Sequence, residues 1–146
     1  MRSANTGEPE GPPPLLVVDL SKGRAGALCA KLFGMGGANV IKLGDEDFPG
    51  FDGATGVVHE SLIHEYCNAY KVGAVVGPDR SERLALMRSV VAVADVVVTS
   101  MEGGLSHLGI GEEQVRRMNP SVIHASVSPF GTTGPYATWK SSSLLD

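Results

Sequence analysis

The chain has 146 residues, which is enough for one domain with its own hydrophobic core. Its composition, with 42% hydrophobic and 19% charged residues, excludes a disordered chain for most of the sequence, and its net charge of −4 argues against nucleic acid, whose phosphates require a basic protein face. No apolar run is long enough to span a membrane and the N-terminus lacks the apolar core of a signal peptide, so we expect a cytoplasmic protein that binds no membrane.

Apolar periodicity in the first half of the chain predicts strands that alternate with helices. Residues 1–14 are polar and proline-rich, and they predict a disordered tail. The unbroken apolar run at 15–20 is typical of a strand covered on both faces. The elements predicted after it are a helix at 26–35, a strand at 40–43, a loop at 44–56, a helix at 57–70 with Leu62, Ile63 and Tyr66 facing inward, and a strand at 72–76.

The second half continues the alternation. Asp79 is expected to open a helix that runs to residue 94. A β-branched strand at 95–99, a helix at 111–118 and a strand at 122–127 follow. Residues 141–146 have the pattern of a helix cap and a first apolar turn, which suggests that the chain is a fragment. Strands alternating with helices predict an α/β fold, with a parallel sheet and helices on both of its faces.

The turn after the first strand is the strongest functional signal. In Asp19-Leu20-Ser21-Lys22-Gly23-Arg24-Ala25-Gly26, a tight glycine turn leads from a buried strand into a helix. Unpaired N–H groups and the helix dipole favour an anion at such a place, and Lys22 and Arg24 add two cations. The sequence therefore predicts a phosphate-bearing ligand at this turn, and we expect Asp19 to hold the loop by hydrogen bonds rather than to react.

No metal site is predicted. Cys29 and Cys67 lack metal-type spacing and are expected to be buried free thiols. The spacing of His59, His64 and His124 likewise indicates structural roles.

A set of segments, in order along the chain, carries a family resemblance. The set comprises Asp19-Leu20-Ser21 with Ala25-Gly26, Gly37-Ala38-Asn39-Val40-Ile41-Lys42, Ala94-Asp95-Val96-Val97-Val98, Leu108-Gly109-Ile110, Asn119-Pro120-Ser121-Val122-Ile123, and Ser126-Val127-Ser128-Pro129-Phe130-Gly131-Thr132-Thr133-Gly134-Pro135-Tyr136-Ala137. Together they resemble the class III coenzyme A (CoA) transferases, the family of formyl-CoA transferase, carnitine-CoA transferases and α-methylacyl-CoA racemase.

The resemblance implies that residues 15–146 form the N-terminal CoA-binding part of a Rossmann-like domain, and that the complete protein is an interlocked homodimer. It implies transfer of CoA between an acyl-CoA and a carboxylic acid, with CoA as a substrate and no covalently bound cofactor. The reaction uses an aspartate that attacks the thioester. By the resemblance that aspartate lies beyond residue 146, so no catalytic residue is assigned to this chain.

The resemblance also implies a set of CoA-contacting positions. They are the turn residues Gly23, Arg24 and Ala25, then Asp45, Val76, Ser100, Met101, His107 and Lys140. The glycine-rich stretch at 130–135 is expected to shape the wall of the acyl site.

Departures from the family pattern keep alternatives open. The usual acid after the second strand is Gly44, the usual Lys-Arg pair is Lys71-Val72, and the usual Asn-Phe pair is Ser100-Met101. Fewer cations around a polyphosphate mean fewer charge-assisted bonds, which fits a non-catalytic CoA-binding or structural relative. A racemase would need a histidine near residues 142–143, where the chain has serines. An NAD-binding domain could use Asp45, but its full glycine motif is absent.

Overall fold

The computed structural model describes residues 12–44, 58–75, 79–100, 105 and 109–139. Nine helices and strands lie in these ranges, in strict alternation. In chain order they are β1 (Leu16–Asp19), α1 (Arg24–Met35), β2 (Asn39–Gly44), α2 (Val58–Asn68), β3 (Val72–Val75), α3 (Arg80–Val93), β4 (Val96–Thr99), α4 (Glu112–Met118) and β5 (Ile123–Ser126). Each predicted strand and helix in these ranges is present, with ends shifted by one or two residues.

The five strands form one parallel sheet in the order β3-β2-β1-β4-β5. The chain therefore builds outward from β1 on one side, then crosses to the other side through α3. This reversal makes the carboxyl ends of β1 and β4 a topological switch point, the place where open α/β sheets bind their ligands. The predicted α/β fold is confirmed.

The sheet is covered on both faces because its central strands are apolar at every position but the last. Val17, Val18, Val97 and Val98 have no exposed surface. Successive residues of a strand pack on opposite faces of the sheet. On one face, Val18, Leu20 and Val97 pack with Met87 and Val91 of α3. On the other face, Val17, Val40 and Val96 pack with Ala30 of α1. Helices on both faces are what the continuous apolar strands predicted.

Helix α3 begins where the sequence predicted it. The Asp79 carboxylate accepts hydrogen bonds from the N–H groups of Ser81 and Glu82, at 2.8 and 3.0 Å. These bonds satisfy donors that the first turn leaves without a helical partner. The Ser81 hydroxyl and the two N–H groups hold the pKa of Asp79 below its usual value.

The inward face predicted for α2 is wrong. Leu62 and Tyr66 are 59% and 64% exposed, whereas Cys67 is buried and Ile63 is half-buried. Helix α2 packs against α1, and the Tyr66 ring lies at the border of that contact with Lys31 Nζ 3.1 Å from its centroid. At this edge the apolar ring of Tyr66 contacts the Lys31 ammonium, while a tyrosine hydroxyl is free to stay in contact with water. Of the two cysteines, both free, only Cys67 is buried as expected, and Cys29 is half-buried.

The connection from α2 to β3 contains a close backbone approach. Tyr70 has a φ of 67°, in the left-handed region that side chains other than glycine rarely adopt. Its carbonyl oxygen and Cβ press on Gly34 of α1, where a Cβ would lie 2.8 Å from the Tyr70 oxygen. Only a glycine at position 34 leaves room for this turn.

We expect Gly34→Ala to lower the free energy of unfolding by about 1–3 kcal/mol, measured by urea denaturation. The added methyl overlaps the Tyr70 backbone, and this cost exceeds the ~1 kcal/mol that alanine gains over glycine inside a helix. Gly111→Ala is the matched control, because a Cβ there meets nothing within 4 Å. Equal effects of the two substitutions would show that the Tyr70 approach is not tight.

Candidate anion-binding turn

The carboxyl end of β1 leads into an exposed turn and the N-terminus of α1. Gly23, at the N-cap, has a φ of 89°, which favours glycine, and no side chain caps the helix. The helical ladder starts with the bond from the Ala27 N–H to the Gly23 carbonyl, so the N–H groups of residues 24–26 precede it. Arg24 and Ala25 are exposed. The three predicted residues Gly23, Arg24 and Ala25 thus form a helix N-terminus open to solvent.

Ser100 joins this turn from the neighbouring strand. The Lys22 N–H donates to Ser100 Oγ at 2.6 Å, and the Ser100 hydroxyl in turn donates to the Lys22 carbonyl. Ser100 follows β4, so this pair of bonds connects the segments that follow β1 and β4. The structure therefore brings together four of the predicted site residues.

Gly26 sets the distance between α1 and the turn. A Cβ at this position would lie 2.4 Å from the Ser21 Cβ and 3.2 Å from the Ser100 Cβ. Real side chains do not approach so closely, so the helix start can lie against both serines only because residue 26 has no side chain.

Asp19 holds the turn from the interior of the protein, as the sequence predicted. Its Oδ1 accepts hydrogen bonds from the Ser21 N–H at 2.8 Å and from the Ser21 hydroxyl at 2.5 Å. Asp19 is completely buried and Ser21 is 1% exposed. A buried carboxylate needs such donors, since its charge has lost the solvation of water.

Two lysines complete the partners of Asp19. Lys42 Nζ lies 3.2 Å from Asp19 Oδ1 and also donates to the Ser21 carbonyl and hydroxyl oxygens. Lys71 Nζ lies 2.8 Å from Asp19 Oδ2 and donates to the Ala27 carbonyl at 2.7 Å and to Asn68 Oδ1 at 3.1 Å. The side chains of Lys42 and Lys71 are 5% and 1% exposed. We call Asp19, Lys42 and Lys71 the buried ion cluster.

The buried ion cluster has two ammonium groups and one carboxylate. Desolvation lowers the pKa of Lys42 below its usual value, against the attraction of Asp19, which raises it; the charge of Lys71 adds a smaller lowering effect. Sequence reasoning missed this pairing. The available signal was a lysine inside the apolar run Val40-Ile41-Lys42-Leu43, on the same face of its strand as Val40.

The other predicted CoA-contacting residues, Asp45, Val76, Met101, His107 and Lys140, lie outside the described residues. So do residues 141–146, with their expected helix cap, and residues 1–11 of the expected disordered tail. Assignment of these residues to the site stays a prediction.

The stretch after β5 carries an aromatic group. The Trp139 ring makes edge contacts with Tyr136 and Phe130, with centroids 4.7 and 6.3 Å apart. Gly131 and Gly134 have φ values of 83° and 100°, which turn the chain twice between Phe130 and Tyr136. The expected role of 130–135 as a wall of an acyl site stays a prediction.

Within the described ranges, no group of three or more histidine, cysteine, aspartate or glutamate side chains is arranged to hold a metal ion. Over the same residues, none of the helices has the length and apolarity needed to cross a membrane.

A family model described as CoA-transferase family III matches residues 14–144. Two curated relatives are the succinate–glutarate CoA-transferase of Agrobacterium fabrum, 32% identical over 90% of this chain, and a subunit of the succinyl-CoA:(R)-benzylsuccinate CoA-transferase of Thauera aromatica, 36% identical over 88%. These alignments cover 36% and 33% of the two relatives, so the chain spans about a third of their length.

The fold of this chain is also similar to part of larger solved structures. A CAIB/BAIF family protein from Brucella suis superposes with a TM-score of 0.75 at 30% identity, over 90% of this chain and 36% of that protein. A hypothetical protein from Mycobacterium tuberculosis superposes with a TM-score of 0.70 at 26% identity, over 90% and 37% of the two chains.

We expect Asp19→Ala to lower the free energy of unfolding by about 3–5 kcal/mol, because it leaves two buried ammonium groups without their counter-charge. Urea denaturation measures the change. Glu113→Ala is the control: it removes a carboxylate 3.1 Å from Arg117, but both side chains are more than 70% exposed, so we expect less than about 1 kcal/mol. A loss at Asp19 as small as that at Glu113 would contradict the importance of the buried ion cluster.

Proposed function

Because the chain belongs to CoA-transferase family III, we propose that it is the CoA-binding part of an enzyme that moves CoA between an acyl-CoA and a carboxylic acid. The observation that carries the proposal is the exposed N-terminus of α1 beside Lys22 and Arg24. The phosphates of CoA are anions, and N–H groups at a helix start bind anions together with nearby cations.

The proposed chemistry divides between this chain and the remainder of the protein. A carboxylate attacks the thioester carbonyl carbon, the C–S bond breaks, and CoA leaves as a thiolate while the acyl group forms a mixed anhydride. We assign this attack to an aspartate of the complete protein, and we assign no reacting group to the residues that the structure describes. The part of this chain is to hold the CoA phosphates at the turn, which orients the thioester towards that carboxylate.

The names of the curated relatives support a proposal for the substrates of the complete protein. The two relatives are named for dicarboxylic acid substrates, succinate and glutarate in one and benzylsuccinate in the other. We therefore place a carboxylic acid as acceptor, without choosing among these acids. A cytoplasmic homodimer is the assembly we propose for the complete protein.

A second candidate is CoA binding without transfer. Val72, which stands where the family has an arginine beside Lys71, is 69% exposed, so the position faces solvent without a charge. Loss of a cation there fits weaker phosphate binding. The assay that separates the two candidates is transfer of labelled CoA from succinyl-CoA to glutarate by the complete protein. Binding without transfer would favour the second.

We expect Arg24→Ala to weaken CoA binding several-fold in isothermal titration calorimetry, as one charge-assisted bond is lost. Arg88→Ala is the matched control, since Arg88 is an exposed arginine on α3, across the sheet from α1. An unchanged affinity for Arg24→Ala would remove Arg24 from the site. Tighter binding of NAD than of CoA by the unmodified chain would contradict the proposed function itself.

A further inference from the structure

The buried ion cluster lies directly behind the exposed turn. Lys42 donates to the carbonyl oxygen of Ser21, the residue before Lys22, and Lys71 donates to the carbonyl of Ala27, in the first turn of α1. The N–H groups of residues 24–26 lie between these two contacts along the chain. Both ammonium groups therefore contact residues that flank the helix start at which the proposed function places the CoA phosphates.

Among the residues that the structure describes, the cluster carries more positive than negative charge, with two ammonium groups and one carboxylate. Asp19 is the carboxylate that contacts both lysines, with one oxygen towards each. Its remaining hydrogen bonds come from Ser21, which is neutral. An unbalanced charge in a protein interior is costly, and a nearby opposite charge relieves that cost.

Resting on the proposed function, we propose that Lys42 and Lys71 are positioning residues whose buried charge is balanced by the CoA phosphate at the turn, so that the bound anion completes an ion cluster that Asp19 only half neutralises.

The lysines act through their field, because all of their hydrogen bonds are already made within the protein. Lys42 has contacts with Asp19, with the Ser21 carbonyl and with the Ser21 hydroxyl. Lys71 has contacts with Asp19, Ala27 and Asn68. An ammonium group has three N–H donors, so neither lysine has one left to reach a ligand. A field in a low-dielectric interior is also screened little by salt.

The experiment compares three buried-lysine variants. Lys42→Met and Lys71→Met each remove one charge from the cluster at nearly constant volume. Lys31→Met is the matched control, because Lys31 is also a buried lysine, with 4% of its surface exposed. It lies on α1, about 10 Å along the helix axis from Arg24, and its ammonium contacts the Tyr66 ring rather than the buried ion cluster. Binding is measured by calorimetry with S-methyl-CoA, whose thiol is blocked.

We expect Lys42→Met and Lys71→Met to weaken binding roughly tenfold, because each removes a buried unit charge that contacts a residue next to the turn, and the Coulomb interaction falls with distance. Lys31→Met is expected to change the affinity less than twofold. Weakening by the two cluster variants that does not exceed that of Lys31→Met overturns the proposal.

Proton uptake distinguishes a charge effect from a structural one. The pKa of Lys42 is lowered in the free protein by its burial and by the charge of Lys71, so a bound anion should raise it and draw in a proton. In the described residues, the ionisable groups that act on Lys42 are Asp19 from β1 and Lys71 from the segment before β3. The phosphates of the ligand are ionised above about pH 8, so uptake between pH 8 and 10 reports on the protein.

Calorimetry in buffers of different ionisation enthalpy measures this uptake. We expect uptake by the unmodified chain that Lys42→Met abolishes. No uptake by the unmodified chain, or the same uptake in Lys42→Met, overturns the proposal even where affinity falls, because the cluster would then only shape the turn. This measurement also decides the matter if Lys71→Met does not fold. Absence of any binding by the unmodified chain contradicts the proposed function, whereas normal binding without the lysine effects contradicts only the present proposal.

Discussion

The charge of Asp19 is the constraint on which the carboxyl edge of the sheet depends. A carboxylate with no exposed surface must be matched by donors, and here the donors come from three separate segments: the turn after β1, strand β2 and the approach to β3. One side chain thus fixes the relative positions of β1, β2 and β3 at the end where the ligand turn lies. The apolar packing below it determines the fold, but not the shape of this turn.

The sequence predicted the elements that follow from local chemistry. The run Val96-Val97-Val98 is β-branched and forms a central strand, and Asp79 caps the helix that it was expected to open. The sequence-based prediction was wrong where tertiary contacts determine which way a side chain faces. Tyr66 has the spacing of an inward residue, but the ammonium of Lys31 holds its ring at the edge of the α1–α2 contact. A helical pattern gives the period of a helix but only loosely its rotation against a neighbour.

The same distinction between local chemistry and tertiary contacts applies to the candidate site. The glycine turn and its role as a helix N-terminus could be read from residues 17–26, and the hydrogen-bonding role of Asp19 was expected. The lysines that share Asp19 were not, since a lysine is the residue type least expected in an interior and its partner lies 23 or 52 positions away. Pairing over such distances becomes visible only when the strands are laid side by side.

The left-handed backbone conformation of Tyr70 constrains the number of residues in the connection between α2 and β3. Tyr70 lies two residues after the end of α2 and directly precedes Lys71, whose ammonium contacts Asp19. We expect that adding or removing one residue between Asn68 and Val72 would turn the Lys71 side chain away from the interior. Lys71 would then lose its hydrogen bond to Asn68 Oδ1 as well as its ion pair with Asp19. Surface loops elsewhere in α/β proteins tolerate insertions and deletions. In this connection the chain should tolerate changes of side chain far better than changes of length.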